Sequence, residues 1–180
     1  MYLDSSPLWK SDSIEMFVLK PTDVTHNYVS WLNNPDVNCY LESRFSTHTI
    51  ESTQKFVEQC LADQSTLFLG IRYLRSGQEH VGNVKISPID QHHKLGEIGI
   101  LIGESSVWGK GIASKAISMI IEIAREELGL RKLTAGCYAS NLGSKKAFLK
   151  AGFHIESQRK KHVLFNRQLE DIFLMAYFIH

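Results

Sequence analysis

The residues most plainly equipped for chemistry are Gly109-Lys110-Gly111-Ile112-Ala113. No Cβ stands at either glycine, so the backbone there can come close to a ligand. Behind them Ile112, Ala116, Ile120, Ala124 and Leu128 recur at i, i+4 spacing, backed by Ala113, Ile117 and Ile121, which predicts an amphipathic helix. The first turn of such a helix offers unpaired N–H groups and the positive end of its dipole, a site for phosphate or pyrophosphate. A second chemical feature lies upstream, in Glu97-Ile98-Gly99-Ile100-Leu101-Ile102. Strand alternation puts Glu97, Gly99 and Leu101 on one face and the isoleucines on the other. The isoleucine face must be core, so Glu97 projects the opposite way, beside the space left by Gly99. There it is either a general base or a solvated glutamate on a half-exposed strand.

Two common phosphate motifs do not fit the glycine turn. A P-loop needs four residues between its glycines and a hydroxyl after the lysine; here five separate Gly103 from Gly109, and Gly111 follows Lys110. A dinucleotide fingerprint needs a third glycine where Ser114 stands, and it belongs in an opening βαβ unit. A purely structural cap is disfavoured, because capping glycines belong mostly at helix C-termini. By contrast, Trp108-Gly109-Lys110-Gly111-Ile112-Ala113 resembles the acetyl-CoA pattern of the GNAT N-acetyltransferases, Gln/Arg-x-x-Gly-x-Gly/Ala after a strand. The departure is Trp108 at the first position, as in the RimJ/RimL-like branch.

The elements that must position these residues can be followed along the chain. Its 180 residues suit one domain, 1–180, with a polar arm expected over 1–13. A strand is predicted over Ile14–Lys20, and then a helix capped by Thr22 or Asp23. A short helix follows over Pro35–Leu41, and another is capped by Thr49 with Ile50, Phe56, Val57 and Leu61 on one face. Strand-like runs follow at Thr66–Leu74 and His80–Ile89, joined by a hairpin through Ser76-Gly77, and then comes the Glu97 strand. After the long helix come a strand over Lys132–Ala139, a helix opened by Asn141, an alternating stretch from Phe153 with a basic hairpin at Arg159-Lys160-Lys161, and a last strand over Ile172–Ile179.

This order extends the resemblance over nearly the whole chain. It implies an α/β (α+β) GNAT fold: a mixed, mostly antiparallel sheet of six to seven strands flanked by helices and splayed at the acetyl-CoA cleft. Trp31-Leu32-Asn33-Asn34-Pro35-Asp36-Val37 with Tyr40-Leu41 is similar to the corresponding helices of the RimJ/RimL-like branch. Asn141-Leu142-Gly143-Ser144 with Ala151-Gly152-Phe153 resembles the family's later segment.

The resemblance also implies roles. Acetyl transfer to an amine needs a neutral nitrogen, and in this family a glutamate on the Glu97 strand often deprotonates it. A backbone N–H near Leu101–Ile102 would polarise the acyl oxygen, with neighbouring amides pairing with pantetheine. The amides of Gly109 to Ala113 would hold pyrophosphate, with Lys110 or Lys115 adding charge, and Asn141 would bond the pantetheine arm or simply cap its helix. Many relatives protonate the leaving thiolate with a tyrosine seven residues after the asparagine, but here that position is Phe148. Tyr138, Ser144 and water are the substitutes.

The remaining features narrow the function classes. A net charge of +1 gives no electrostatic case for nucleic acid or an anionic membrane surface. The opening residues show neither a basic region nor a long apolar run, so no signal peptide is expected. Three cysteines without CxxC spacing point to a reducing cytoplasm. His92-His93 lacks metal-ligand spacing and reads as a polar turn, so no metal is expected. Arg159-Lys160-Lys161-His162 is either a solvated hairpin or an attraction for an acidic acceptor. The expected partner is an amine, on a protein N-terminus or on a small molecule such as a polyamine or amino-sugar nucleotide, and a homodimer is allowed. The rival class is a non-catalytic CoA-binding or regulatory module, which the missing tyrosine permits.

Overall fold

Alternating apolar strands and two amphipathic helical stretches can bury their apolar sides only by stacking helices on both faces of one sheet. The computed structural model, which describes residues 9–75 and 77–179, has that arrangement. Strands β1 (Trp9–Lys10) and β2 (Ile14–Val18) lead into helices α1 (His26–Asn33), α2 (Pro35–Asn38) and α3 (Ile50–Ala62). Next come β3 (Leu67–Tyr73), β4 (Gln78–Asp90), β5 (Leu95–Ile102) and helix α4 (Ile112–Glu126). The chain ends with β6 (Lys132–Tyr138), α5 (Leu142–Lys150), β7 (His154–Phe165) and β8 (Gln168–Phe178).

Among the described residues eight strands form one sheet, in the order β1-β2-β3-β4-β5-β6-β8-β7. Every neighbouring pair is antiparallel except β5 and β6, which are parallel. The strand beyond the expected six to seven is β1, inside the stretch read as an arm. Trp9 and Lys10 pair with Met16 and Glu15 of β2, while residues 1–8 of that arm, and Ser76 of the expected hairpin, lie outside the described residues.

The main core lies between one sheet face and helices α4 and α5. From α4 it takes Ile112, Ala116, Ile117, Ile120, Ile121, Ile123 and Ala124, and from β5 it takes Ile98. A smaller cluster on the opposite face joins Phe17, Leu19 and Phe68 of the sheet side to Tyr28, Trp31, Val57 and Cys60 of α1 and α3. Each fully buried large apolar side chain contributes roughly 1.5–3 kcal/mol relative to exposure.

Several local expectations are corrected. The cap of α1 is Thr25, whose Oγ1 accepts the Tyr28 N–H at 3.1 Å. Thr22 and Asp23 instead belong to a 3₁₀ turn begun by Pro21, in which the Asp23 carboxylate accepts the Lys20 N–H. Helix α2 stops at Asn38, short of Leu41. Thr49 does cap α3, its Oγ1 accepting the Ser52 N–H, and its own N–H donates in return to Ser52 Oγ. The buried face of α3 is Thr53, Val57 and Cys60, whereas Phe56 and Leu61 are 43% and 42% exposed. Helical geometry aligns positions i, i+4 and i+7, which leaves Phe56 on the border, edge-on to Phe68. The basic run at Arg159-Lys160-Lys161 sits inside β7, at a register shift between Arg159 and Val163, and Lys161 has φ +50°. Strand β7 forms the sheet edge, and β8 begins at Gln168 instead of Ile172.

Candidate active site

Parallel pairing of β5 with β6 covers only Leu95↔Lys132, Gly96↔Leu133 and Glu97↔Thr134. Beyond Glu97 the two strands part, although β5 continues to Ile102 and β6 to Tyr138. Residues left without a ladder partner must turn their N–H and C=O groups elsewhere. The expected splay is therefore present, and it opens where the glutamate sits.

Glu97 is exposed, on the sheet face opposite the α4 core, and Ile98 on the other face is buried at 3% exposure. Gly99 follows on the Glu97 side, and a Cβ there would meet no atom within 4 Å. Register partners share a face, so Thr134, Gly136 and Tyr138 of β6 lie on the same side as Glu97. At the far end of β5 the Gly103 N–H donates to Val81, toward β4. Strand alternation then turns the N–H and C=O of Ile102 to the side of the gap. That carbonyl accepts the Trp108 indole N–H at 2.8 Å, which ties the glycine turn to the strand end. Gly103 itself permits Trp31 of α1 to close over this end, since a Cβ there would lie 2.1 Å from the indole.

Gly109 and Gly111 have φ of +75° and +76°, a left-handed conformation that side chains resist. A Cβ at either would meet nothing within 4 Å, so the turn presents bare backbone to open space. Gly111 is the N-cap of α4 and supplies no side-chain acceptor for its first N–H groups. The first return bond runs from Lys115 N–H to the Gly111 carbonyl. The amides of Ile112, Ala113 and Ser114 therefore precede the first intrahelical donor and point out of the helix end. Beside this turn lies a cavity of about 390 Å³, lined among others by Lys110, Ser114, Lys115 and Lys150. A helix N-terminus, two bare glycines and a rim of lysines fit a pyrophosphate-bearing group such as coenzyme A.

The lysines differ in state. Lys115 donates to Asp12 at 2.9 Å and to Ser13 Oγ at 2.6 Å, and Arg75 lies 3.0 Å from the same aspartate. The bond from Lys115, and then that from Ser13, hold the Asp12 carboxyl below its usual range. Lys115 is thus a strut to the β1–β2 turn, while Lys110 is exposed, its ammonium 5.8 Å from the Tyr73 ring centroid.

The residues considered for protonating a thiolate are arranged differently. Phe148 is 2% exposed and packs edge-to-face on Phe153 within the main core. Asn141 caps α5, its Oδ1 accepting the Ser144 N–H at 3.1 Å. Tyr138 donates its hydroxyl proton to Glu42 Oε1 at 2.5 Å and accepts from Arg44 Nη2 at 3.1 Å. Burial and then the bond to Glu42 push the Tyr138 pKa up, against the pull of Arg44. Glu42 and Arg44, which come from the segment between α2 and α3, carried no signal in the sequence. Their contact with Tyr138 spans 96 and 94 residues, beyond any local spacing.

His92 and His93 form a turn in which both backbone N–H groups donate to Asp90. Among the described residues no group of three or more His, Cys, Asp or Glu side chains is placed to hold a metal ion, and no helix is long and apolar enough to cross a membrane.

Comparison with known proteins bears on this geometry. A family model described as an acetyltransferase (GNAT) domain matches residues 16–154. A probable N-acetyltransferase, YjcK of Bacillus subtilis (strain 168), is 40% identical over 68 residues. That match covers 38% of this chain and 38% of that relative, so it spans well under half of the relative's length. The solved structure of the microcin C7 self-immunity acetyltransferase MccE, in complex with acetyl-CoA and AMP, superposes with a TM-score of 0.80 at 22% identity, covering 94% of each chain. Spermidine N-acetyltransferase from Vibrio cholerae, in complex with CoA and spermine, gives a TM-score of 0.82 at 17% identity, covering 93% of this chain and 96% of that one.

Proposed function

The chain belongs to the GNAT acetyltransferase family, and from that premise we propose that it transfers an acetyl group from acetyl-CoA to a primary amine, as a RimJ/RimL-like member. The observation that carries the reading is the parting of β5 and β6 after Glu97 and Thr134, with a bare glycine turn at one end and a carboxylate on the rim. Acetyl-CoA supplies the acyl group already activated as a thioester.

The chain's own residues then divide the work. The amides of Gly109 to Ala113 bind pyrophosphate, Lys110 adds charge, and Trp108 holds the turn against Ile102. The Ile102 N–H, with Leu101 beside it, lies along the gap and donates to pantetheine, whose arm Asn141 borders. Glu97 removes a proton from the acceptor ammonium, directly or through water, because only the neutral amine attacks. The leaving thiolate takes its proton from Ser144 or water; Tyr138 serves only if its bond to Glu42 breaks. We place the protein in the cytoplasm, as a monomer or homodimer, with neither nucleic acid, membrane nor metal as partner.

The acceptor is a protein N-terminal amine or a small amine such as a polyamine or amino-sugar nucleotide. The test is thiol release from acetyl-CoA in the presence of N-terminal peptides, polyamines and amino-sugar nucleotides in parallel, and release that depends on an acceptor is expected. Binding of acetyl-CoA without acetylation of any amine would favour a non-catalytic CoA-binding module. Absence of acetyl-CoA binding would overturn both readings.

A further inference from the structure

Where β6 ends, Tyr40, Tyr138 and Phe165 form an aromatic cluster with ring centroids 5.2 to 5.7 Å apart. The Arg44 guanidinium lies over it, 5.5 Å from Tyr138 and 6.0 Å from Phe165. Arg44 also donates to the Leu41 carbonyl at 2.7 Å and to the Tyr138 hydroxyl, and its side chain is only 14% exposed. Its charge is therefore turned inward. Glu42 is the opposite case: its side chain is 74% exposed, yet Oε1 is fixed by the buried Tyr138 hydroxyl. A surface carboxylate held in one orientation by a strand residue 96 positions away has lost its rotamer freedom before any ligand arrives.

Its location gives that rigidity a use. Tyr138 shares the sheet face of Glu97, and it lies four residues beyond Thr134, the register partner of Glu97. At about 3.3 Å per residue this sets the Tyr138 level some 13 Å along the gap from Glu97. We propose that Glu42 is a specificity-determining residue that binds a second positive charge of the acceptor, roughly 10–13 Å from the nitrogen being acetylated, and that Tyr138 is its positioning residue. The inference rests on the acetyltransferase reading above and deepens it. An anionic acceptor group is not what this corner presents, because the Arg44 donors already face Leu41, Glu42 and Tyr138. The second charge can belong to a diamine or to a basic side chain near a peptide N-terminus.

The test compares kcat/KM for diaminoheptane against heptylamine, and for the peptide amide Ser-Ala-Lys against Ser-Ala-norleucine. It uses wild type, Glu42→Gln, Glu42→Asp and Tyr138→Phe, with diamine affinity measured by NMR titration in the presence of CoA. Wild type favours the dication of at least one pair, and the pair that responds identifies the source. Glu42→Gln lowers that preference about tenfold, through KM and through the diamine dissociation constant. Glu42→Asp retains part of it. Tyr138→Phe raises KM and the NMR dissociation constant for the dication more than KM for the matched monocation, a difference that loss of a proton donor to the thiolate would not produce. An equal preference in wild type and Glu42→Gln overturns the proposal, as does turnover of neither pair by protein that binds acetyl-CoA in calorimetry. Failure to bind acetyl-CoA at all overturns the acetyltransferase reading, and this inference with it.

Discussion

Glu97 and Thr134 are the last Cα partners of β5 and β6, and past them the parallel pairing of these strands stops. The carboxylate thus stands at the vertex of the opening, on the face away from α4.

From that position follows the behaviour of Glu97→Gln. The amide keeps shape and hydrogen bonding but is not basic, so kcat should fall by about 10²–10⁴ where proton transfer limits the rate. Acetyl-CoA affinity by calorimetry should stay near wild type. The loss should shrink as pH approaches the acceptor's own pKa. A loss equally large at high pH would assign Glu97 to binding or architecture.

Gly111→Val tests the cofactor turn. With φ at +76°, a side chain strains the backbone by about 1–2 kcal/mol. It would also stand in open space before the helix, where no protein atom lies within 4 Å. Strongly weakened acetyl-CoA binding in a folded variant is the expected result. Unchanged affinity would remove the turn from the site.

Phe148→Ala should act on stability before catalysis. Phe148 is among the most buried side chains and meets Phe153 at 5.0 Å between centroids. Its truncation should lower the unfolding free energy by about 3–5 kcal/mol in denaturant titration.

His80 supplies a pH dependence. Its Nε2 lies 2.8 Å from Asn83 Oδ1 and 3.0 Å from the Gly82 carbonyl, inside a box of Phe17, Tyr28 and Trp31. Burial pushes its pKa below the usual 6.5, against those two hydrogen bonds. A base depressed on folding stabilises fully above its unfolded value, and the contribution is lost as pH falls through the lower folded value. Melting temperature should therefore decline below about pH 6.5, and His80→Phe should flatten that decline. An identical acid slope in both proteins would place the sensitivity elsewhere.

What the sequence disclosed was local. The period-two pattern of β5, the isoleucine face of α4 and the Thr49 cap each depend on residues a few positions apart, and each is present in the structure. The cap of α1 is not legible locally, because several polar residues there can cap and Pro21 draws the first of them into a 3₁₀ turn. Strand β1 is two residues long and has no periodicity to detect. The Tyr138–Glu42 bond is non-local, so the sequence could nominate a tyrosine without showing where its proton goes. Trp108 was visible as a departure from the family pattern, but its tie to Ile102 required the folded turn.

Helices α1, α3 and α5 each close their first turn with a side chain of their own, from Thr25, Thr49 and Asn141. The longest helix, α4, does not, because its cap is Gly111. On the function proposed above, the pyrophosphate of acetyl-CoA would complete the helix there as a residue would, which would make the amount of cosubstrate around the protein a variable of its folding. At one hundred times the dissociation constant the native state gains about 2.7 kcal/mol. Heat tolerance and resistance to proteolysis should then rise and fall with the acetyl-CoA supply, so that the protein persists longest when its acyl donor is abundant.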